Sequence, residues 1–314
     1  MQEDISLPLT FEAKDFKEDS LEHLVKYITT NYENIRKLME KQPAILYRGF
    51  KINTLADFEY LISNLPIDTT SYVGGDSPRT KLSSKIYTST EYPADQQIVL
   101  HNEMSFSNNY PRYLFFYCEL PSIQGGETPL ADNRELYRRL PNALLQKYQA
   151  KKLKYIMNLH SGYGIGKSWQ DVFETDNKGK IEQLLTQRGV NYSWRSNDVL
   201  QVSEIVQPVI RHPKTNDWIF FSQAHQWHPS NLEHDIYLNL LSMMPETDFY
   251  HYVCYADDEP LDEDDLAITR QIIDDIKIVN PWQRGDVLLL DNMLAMHGRN
   301  SYQGDRKIRL SLAN

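Results

Sequence analysis

His101, Glu103 and His297 constrain this chain more than any other residues. Two imidazoles and one carboxylate are the ligand set of a non-haem Fe(II) site with open positions on one side. Residues two apart on a strand point to the same face. The run from Gln97 to Phe106 reads as a strand, so it projects His101 and Glu103 together. His297 lies just past a second strand-like run, Gly285 to Asp291. A metal chelated from both ends of a chain needs a closed β-scaffold to bring those ends together. A lone H-x-E occurs by chance in many proteins, so the weight falls on what the rest of the sequence supplies.

The chain has 314 residues, 41% of them hydrophobic, enough for a large core. All-β barrels with helical decoration reach this length as one unit. Residues 1–314 are therefore expected to form a single domain, with N-terminal helices over about 10–65 and a helical or irregular insert over about 150–215. The net charge of −10 argues against nucleic acid or an anionic membrane as a partner. The two cysteines, Cys118 and Cys254, sit in aromatic or apolar runs. They read as small core residues of a protein in a reducing compartment, not as a disulfide framework. Met1-Gln2-Glu3-Asp4-Ile5 shows neither a basic nor an apolar leader segment. No apolar stretch is long enough to span a bilayer. A cytoplasmic protein is the expectation.

Apolar spacing predicts one or two amphipathic helices over Ser20–Met39, a strand over Pro43–Phe50 and a helix over Thr54–Leu65. Residues 72–92 lack any period and read as a long loop, of the kind that often forms a lid. A strand over Arg112–Glu119 and helices on either side of Pro141 follow. Between 150 and 215 the pattern is least legible, with strand-like pieces at Leu153–Leu159 and Ser203–Ile210 and helices near Trp169–Thr175 and Gly179–Arg188. A strand over Asp217–Phe221, a helix over Leu261–Ile278 and a last strand over Arg306–Leu312 complete the reading.

His101-Asn102-Glu103, Gly125-Gly126-Glu127-Thr128-Pro129, Asp291-Asn292 with His297-Gly298-Arg299, and Tyr302-Gln303-Gly304-Asp305-Arg306 occur in that order. Together they resemble the Fe(II)/2-oxoglutarate dioxygenases of the taurine dioxygenase superfamily. The likeness is greatest to the branch containing clavaminate synthase, bacterial amino-acid β-hydroxylases and syringomycin-type tailoring hydroxylases, and it covers roughly residues 45–314. The resemblance implies a mainly β fold with flanking helices around a double-stranded β-helix (jelly-roll) core. It implies Fe(II) on His101, Glu103 and His297, with 2-oxoglutarate and O2 as co-substrates. It places the C5 carboxylate of 2-oxoglutarate on a guanidinium, with Arg306 preferred and Arg309 the second candidate, and on the Thr128 hydroxyl. Arg306 and Arg309 face opposite sides of a regular strand, so only one enters the barrel. The implied reaction is hydroxylation of an unactivated C–H bond in an amino acid or amino-acid-derived metabolite, free or carrier-tethered, in secondary metabolism. Halogenating relatives lack the carboxylate ligand, so Glu103 favours hydroxylation. Desaturation or cyclisation uses the same ligands and stays open, as does a catalytically silent small-molecule-binding barrel.

Gln97, Arg79 and His225 are candidate substrate contacts. His225 and His228 form a competing pair at helical spacing, but Pro229 follows at once and no H-E-x-x-H is present. The glycines at 162, 164 and 166 lack the strand–loop–helix context of a phosphate cradle. The acidic run from Asp257 to Asp265 lacks the calcium-loop pattern and reads as a solvated helix start. Relatives of this branch often carry Y-G-D-G where this chain has Tyr255-Ala256-Asp257-Asp258.

Overall fold

Two-residue alternation builds the main sheet. Along Tyr113–Leu120 the side chains of Leu114, Phe116 and Cys118 enter one core, while Phe115 and Tyr117 enter another. The same division runs through Ala44–Arg48 (Ala44 and Leu46 against Ile45 and Tyr47) and Val287–Asp291 (Leu288 and Leu290 against Val287 and Leu289). A sheet buried on both faces needs such continuous apolar runs. These strands lie in a six-stranded sheet whose order is Leu9–Glu12, Ala44–Arg48, Val287–Asp291, Tyr113–Leu120, Lys307–Ala313, Tyr87–Thr88. The computed structural model describes residues 7–314. Met1-Gln2-Glu3-Asp4-Ile5, read above for a leader segment, lies outside the described residues.

One face of this sheet is covered by the helices Leu21–Thr30, Tyr32–Lys41 and Leu55–Asn64. The third begins with a capping box: the Asp57 amide donates to Thr54 Oγ1 at 3.2 Å and the Thr54 amide to Asp57 Oδ2 at 2.9 Å. It brings Phe58 onto Tyr117, rings stacked at 5.1 Å. The other face looks toward a three-stranded sheet ordered Ile98–His101, Ala295–Arg299, Leu130–Asp132.

The stretch 150–215, expected as a helical or irregular insert, is more ordered than that. Its strands Leu153–Leu159, Leu200–Val206 and Asn191–Trp194 join His251–Tyr255 in a four-stranded antiparallel sheet. Its helices Trp169–Phe173 and Lys178–Arg188 stand where the spacing placed them. Pro208 has no N–H to donate and separates the strands Leu200–Val206 and Val209–Arg211, so the single expected strand is two. Several elements escaped the sequence reading, among them the strands Leu9–Glu12, Leu130–Asp132, Ala295–Arg299, Asn191–Trp194 and His251–Tyr255, and the helix His234–Met243, which carries no buried residue. Among the described residues, no helix is long and apolar enough to cross a membrane.

Candidate metal centre

His101 and His297 are direct partners across the antiparallel strands Ile98–His101 and Ala295–Arg299, and their rings lie 4.5 Å apart. Register alone therefore joins two histidines almost two hundred positions apart. His101 ends its strand, and Glu103 sits in the turn that follows, with Met104 at φ 56°. This corrects the expectation that one strand carries both. A tight turn, not strand alternation, brings the carboxylate round. One nitrogen from each imidazole and one Glu103 oxygen all lie within 4.8 Å of one another, and all three residues are buried.

An amide network fixes the turn. Asn292 Oδ1 accepts from the Glu103 amide at 2.8 Å, and its Nδ2 donates to Glu103 O at 2.9 Å and Pro111 O at 2.8 Å. Asn102 Nδ2 donates to Asn292 O and Ala295 O, and Asn133 Nδ2 donates to Asn102 Oδ1. The motif reading quoted Asn102 and Asn292 without giving either a role; Asn133 had no sequence signal.

The donor set suits a divalent cation. His101 Nδ1 lies 2.9 Å from the Val99 carbonyl, which places the proton there and leaves Nε2 as the lone-pair nitrogen. Burial, then the neighbouring His297, lowers the His101 imidazole to about 4, so it is neutral and able to ligate. Burial opposes the charge on Glu103, yet the Arg79 guanidinium, 2.5 Å from Oε2, holds its carboxyl well below the usual range. His297 Nε2 is 3.7 Å from Glu103 Oε2, and its Nδ1 is buried with no hydrogen-bond partner.

His101, His297, Thr128, Arg306, Phe116 and Arg79 line one cleft. Gly125 and Gly126, both at φ near 70°, make the turn beside it, and a Cβ on Gly125 would meet Ser301 O at 2.2 Å. Arg306 Nε donates to Gly126 O at 2.8 Å, and no carboxylate of the described residues lies within 4.0 Å of its guanidinium. Burial, then Arg299, lowers Arg306 to about 10. A desolvated cation without a counter-ion, facing a cleft, fits an anionic ligand. Trp282 Nε1 donates to Thr128 Oγ1 at 3.1 Å, which leaves the threonine proton to donate elsewhere.

Of the residues named from the sequence, His101, Glu103, His297, Thr128, Arg306 and Arg79 come together. Arg309 does not: it turns to Glu119 at 2.5 Å, on the side opposite Arg306 and Ile308, which line the cleft together as alternation requires. Gln97 is exposed, because the alternation that turns Ile98 inward turns its neighbour out. His225 is buried behind the strand, its Nε2 2.7 Å from Leu100 O, so it supports the backbone and does not reach the cleft. His228 bonds Ser230.

The loop 70–79 closes the other side; the sequence singled out Arg79 within it, but not Tyr72 or Asp76. Tyr72 donates to Glu103 Oε1 at 3.0 Å. Asp76 is buried, 3.4 Å from His251 Nε2, and burial and Glu103 raise its carboxyl. Burial lowers the His251 imidazole to about 3, so it faces Asp76 uncharged. Arg299 donates to the carbonyls of Tyr92, Pro93 and Gln96, tying down the segment that continues this loop.

A profile of the family described as "Taurine catabolism dioxygenase TauD, TfdA family" matches residues 3–312. The chain is 30% identical to the dapdiamide synthesis protein DdaC of Enterobacter agglomerans, over 90% of this chain and 85% of that one. It is 28% identical to a clavaminate synthase-like protein of Arabidopsis thaliana, over 93% and 88%. Among solved structures, a taurine dioxygenase from Burkholderia xenovorans superposes with a TM-score of 0.53 at 12% identity, covering 91% of this chain and 80% of that one. AAD-2 in complex with Mn(II) and N-oxalylglycine gives 0.51 at 13% identity, covering 91% and 87%.

Proposed function

Because the chain belongs to the taurine catabolism dioxygenase TauD, TfdA family and is an Fe(II)- and 2-oxoglutarate-dependent dioxygenase, we propose that it hydroxylates an unactivated C–H bond of an amino acid or amino-acid-derived metabolite. The observation that carries this reading is the buried His101–Glu103–His297 cluster sharing a cleft with the unpaired Arg306 guanidinium. His101 Nε2, a Glu103 oxygen and a His297 nitrogen would hold the iron. Arg306 and the free proton of Thr128 would hold the C5 carboxylate of 2-oxoglutarate. Ferrous iron, when bound, supplies the O2-driven oxidative decarboxylation of 2-oxoglutarate and the C–H oxidation coupled to it. The protein's own part is orientation and dryness: Phe116 packs on His297 with ring centroids 5.1 Å apart, and Ile98 and Ile308 line the same cleft. The retained carboxylate of Glu103 supports hydroxylation over halogenation, because it fills the ligand position that a halide needs.

We further read the six-stranded and three-stranded sheets as the two walls of a jelly roll, residues 1–314 as one dioxygenase domain, and the protein as cytoplasmic. The name of the Enterobacter relative supports a place in secondary-metabolite biosynthesis. Anaerobic addition of Fe(II) and then 2-oxoglutarate tests the site. A weak visible charge-transfer band is expected, and it should be absent in His101→Ala; an unchanged band in that variant refutes the ligand assignment. Under air, succinate above the no-enzyme control with an amino-acid panel is expected.

A further inference from the structure

Two buried charged groups on either side of the Tyr72 hydroxyl are left under-satisfied by the protein itself, and one of them, Arg79, lines the cleft. The Arg79 side chain is 2% exposed. Nη2 donates to Glu103, and the guanidinium carbon sits 4.6 Å from the Tyr72 ring centre. Nε and Nη1 are buried with no partner, although this residue lines the cleft. A buried guanidinium with unmet donors is costly unless an anion completes it.

Three residues earlier, the Asp76 side chain is 8% exposed. Its Oδ1 has only long contacts, 3.5 Å to the Tyr72 hydroxyl and 3.5 Å to Ser77 Oγ. Its Oδ2 faces the His251 ring nitrogen at 3.4 Å, without hydrogen-bond geometry. Lys167 Nζ is turned to the carbonyls of Gly75 and Ser77, each at 3.4 Å. Among the described residues, no lysine or arginine nitrogen lies within 4.0 Å of this carboxylate. The Tyr72 hydroxyl stands between the two groups: 3.5 Å from Asp76, and 3.0 Å from Glu103, which holds Arg79.

We propose that Arg79 and Asp76 form a clamp for a free α-amino acid, Arg79 taking its carboxylate and Asp76 its ammonium. The clamp rests on the dioxygenase reading above and narrows it: a carrier-tethered thioester has no free carboxylate to offer Arg79, so the substrate is the untethered amino acid.

The test uses the full chain under nitrogen, loaded with Mn(II) and the 2-oxoglutarate mimic N-oxalylglycine. The protein amino acids are titrated in by calorimetry, each as the free acid, the C-terminal amide and the N-acetyl derivative. A subset of free acids should bind, with the matching amide and N-acetyl forms weaker by about tenfold or more. In Arg79→Lys the ratio of acid to amide affinity should fall towards one while the preference for the free amine persists; Asp76→Asn should do the converse. Binding by no free acid, or an amide that binds as tightly as its acid, overturns the proposal. So does an Arg79→Lys variant that weakens N-oxalylglycine and keeps the preference for the acid, because the guanidinium then holds the co-substrate. The wild-type comparison decides alone if a variant does not fold. Failure of Mn(II) and N-oxalylglycine to raise the melting temperature overturns the metal-site reading and the clamp with it; loading followed by failure of the amino-acid arm overturns the clamp only.

Discussion

The strand-built side and the loop-built side of the cleft satisfy their polar groups very differently. On the strand side, His101 and His297 are in register, and the amides of Asn102, Asn133 and Asn292 bond one another and the surrounding backbone at 2.6 to 3.1 Å, leaving Asn133 Oδ1 and the outer His297 Nδ1 without a partner. On the loop side, Arg79 has two unpartnered nitrogens and Asp76 only contacts at 3.4 Å or beyond. A site whose ligands must hold one geometry needs the first arrangement. A surface that gives up water to an incoming polar ligand needs the second, because groups already bonded to protein gain little from a new partner.

Removing Asn292 should produce the largest effect and is the sharpest way to break this contrast. Asn292→Leu leaves the Glu103 amide and the Glu103 and Pro111 carbonyls buried without partners. A loss of roughly 3 kcal/mol or more in unfolding free energy is expected by urea titration, with Fe(II) affinity down by about 10- to 100-fold. A loss below about 1 kcal/mol would show that the turn holds itself and that the strand side is not over-determined.

Arg306→Met comes next. It should weaken 2-oxoglutarate binding by about 100-fold, read from the anaerobic charge-transfer titration. Stability should hold or rise slightly, since the guanidinium is buried with no acid beside it. The converse applies to Arg309, whose pairing with part-exposed Glu119 is worth at most about 1 kcal/mol and whose loss should leave 2-oxoglutarate affinity unchanged.

The same contrast explains what could be read from sequence. Much of the strand side sits in patterned segments, so spacing located the strand of His101 and four of the six strands of the main sheet, while Leu9–Glu12, Tyr87–Thr88 and the strand that carries His297 went unread. Glu103 joins the cluster from a turn, which has no period, so the strand spacing that singled it out was not the reason it lies there. Alternation put Arg306 and Arg309 on opposite faces, as found, but did not say which face looks into the cleft. Gln97 and His225 were misplaced because polarity near a ligand strand says nothing about which face a side chain takes. Tyr72 and Asp76 lie in a loop whose partners are set by tertiary contact with Glu103 and His251. The strand His251–Tyr255 was missed because its partner, Leu153–Leu159, is distant in the chain.

Acid should attack the strand side before it reaches the carboxylates. Burial pushes the His225 imidazole down to about 4 from an ordinary value of 6.5, and its Nε2 holds the Leu100 carbonyl next to His101. Such a histidine takes up its proton more readily in the unfolded chain. Its contribution is therefore full above pH 6.5 and is lost as pH falls from there toward 4. The metal-free protein should lose about 2 kcal/mol between pH 7.5 and pH 5 from this group. His225→Phe should flatten that part of the urea-midpoint profile; an unaltered slope would assign the acid sensitivity elsewhere.

Tyr72→Phe is the smallest test and the one that most directly weighs the loop side against the strand side. The hydroxyl donates to Glu103 Oε1 at 3.0 Å and accepts from the Ser77 amide at 3.2 Å. Its loss removes one bond from a carboxylate that keeps Arg79 on its other oxygen and Asn292 on its backbone. Because Glu103 stays held from the strand side, stability should fall by only about 1 kcal/mol and Fe(II) affinity by a few-fold, measured on the same urea and metal titrations as Asn292→Leu. A penalty equal to that of Asn292→Leu would mean that the loop shapes the ligand as strongly as the strands do, and Tyr72 would then belong to the apparatus that positions the metal and not to the wall that receives the substrate.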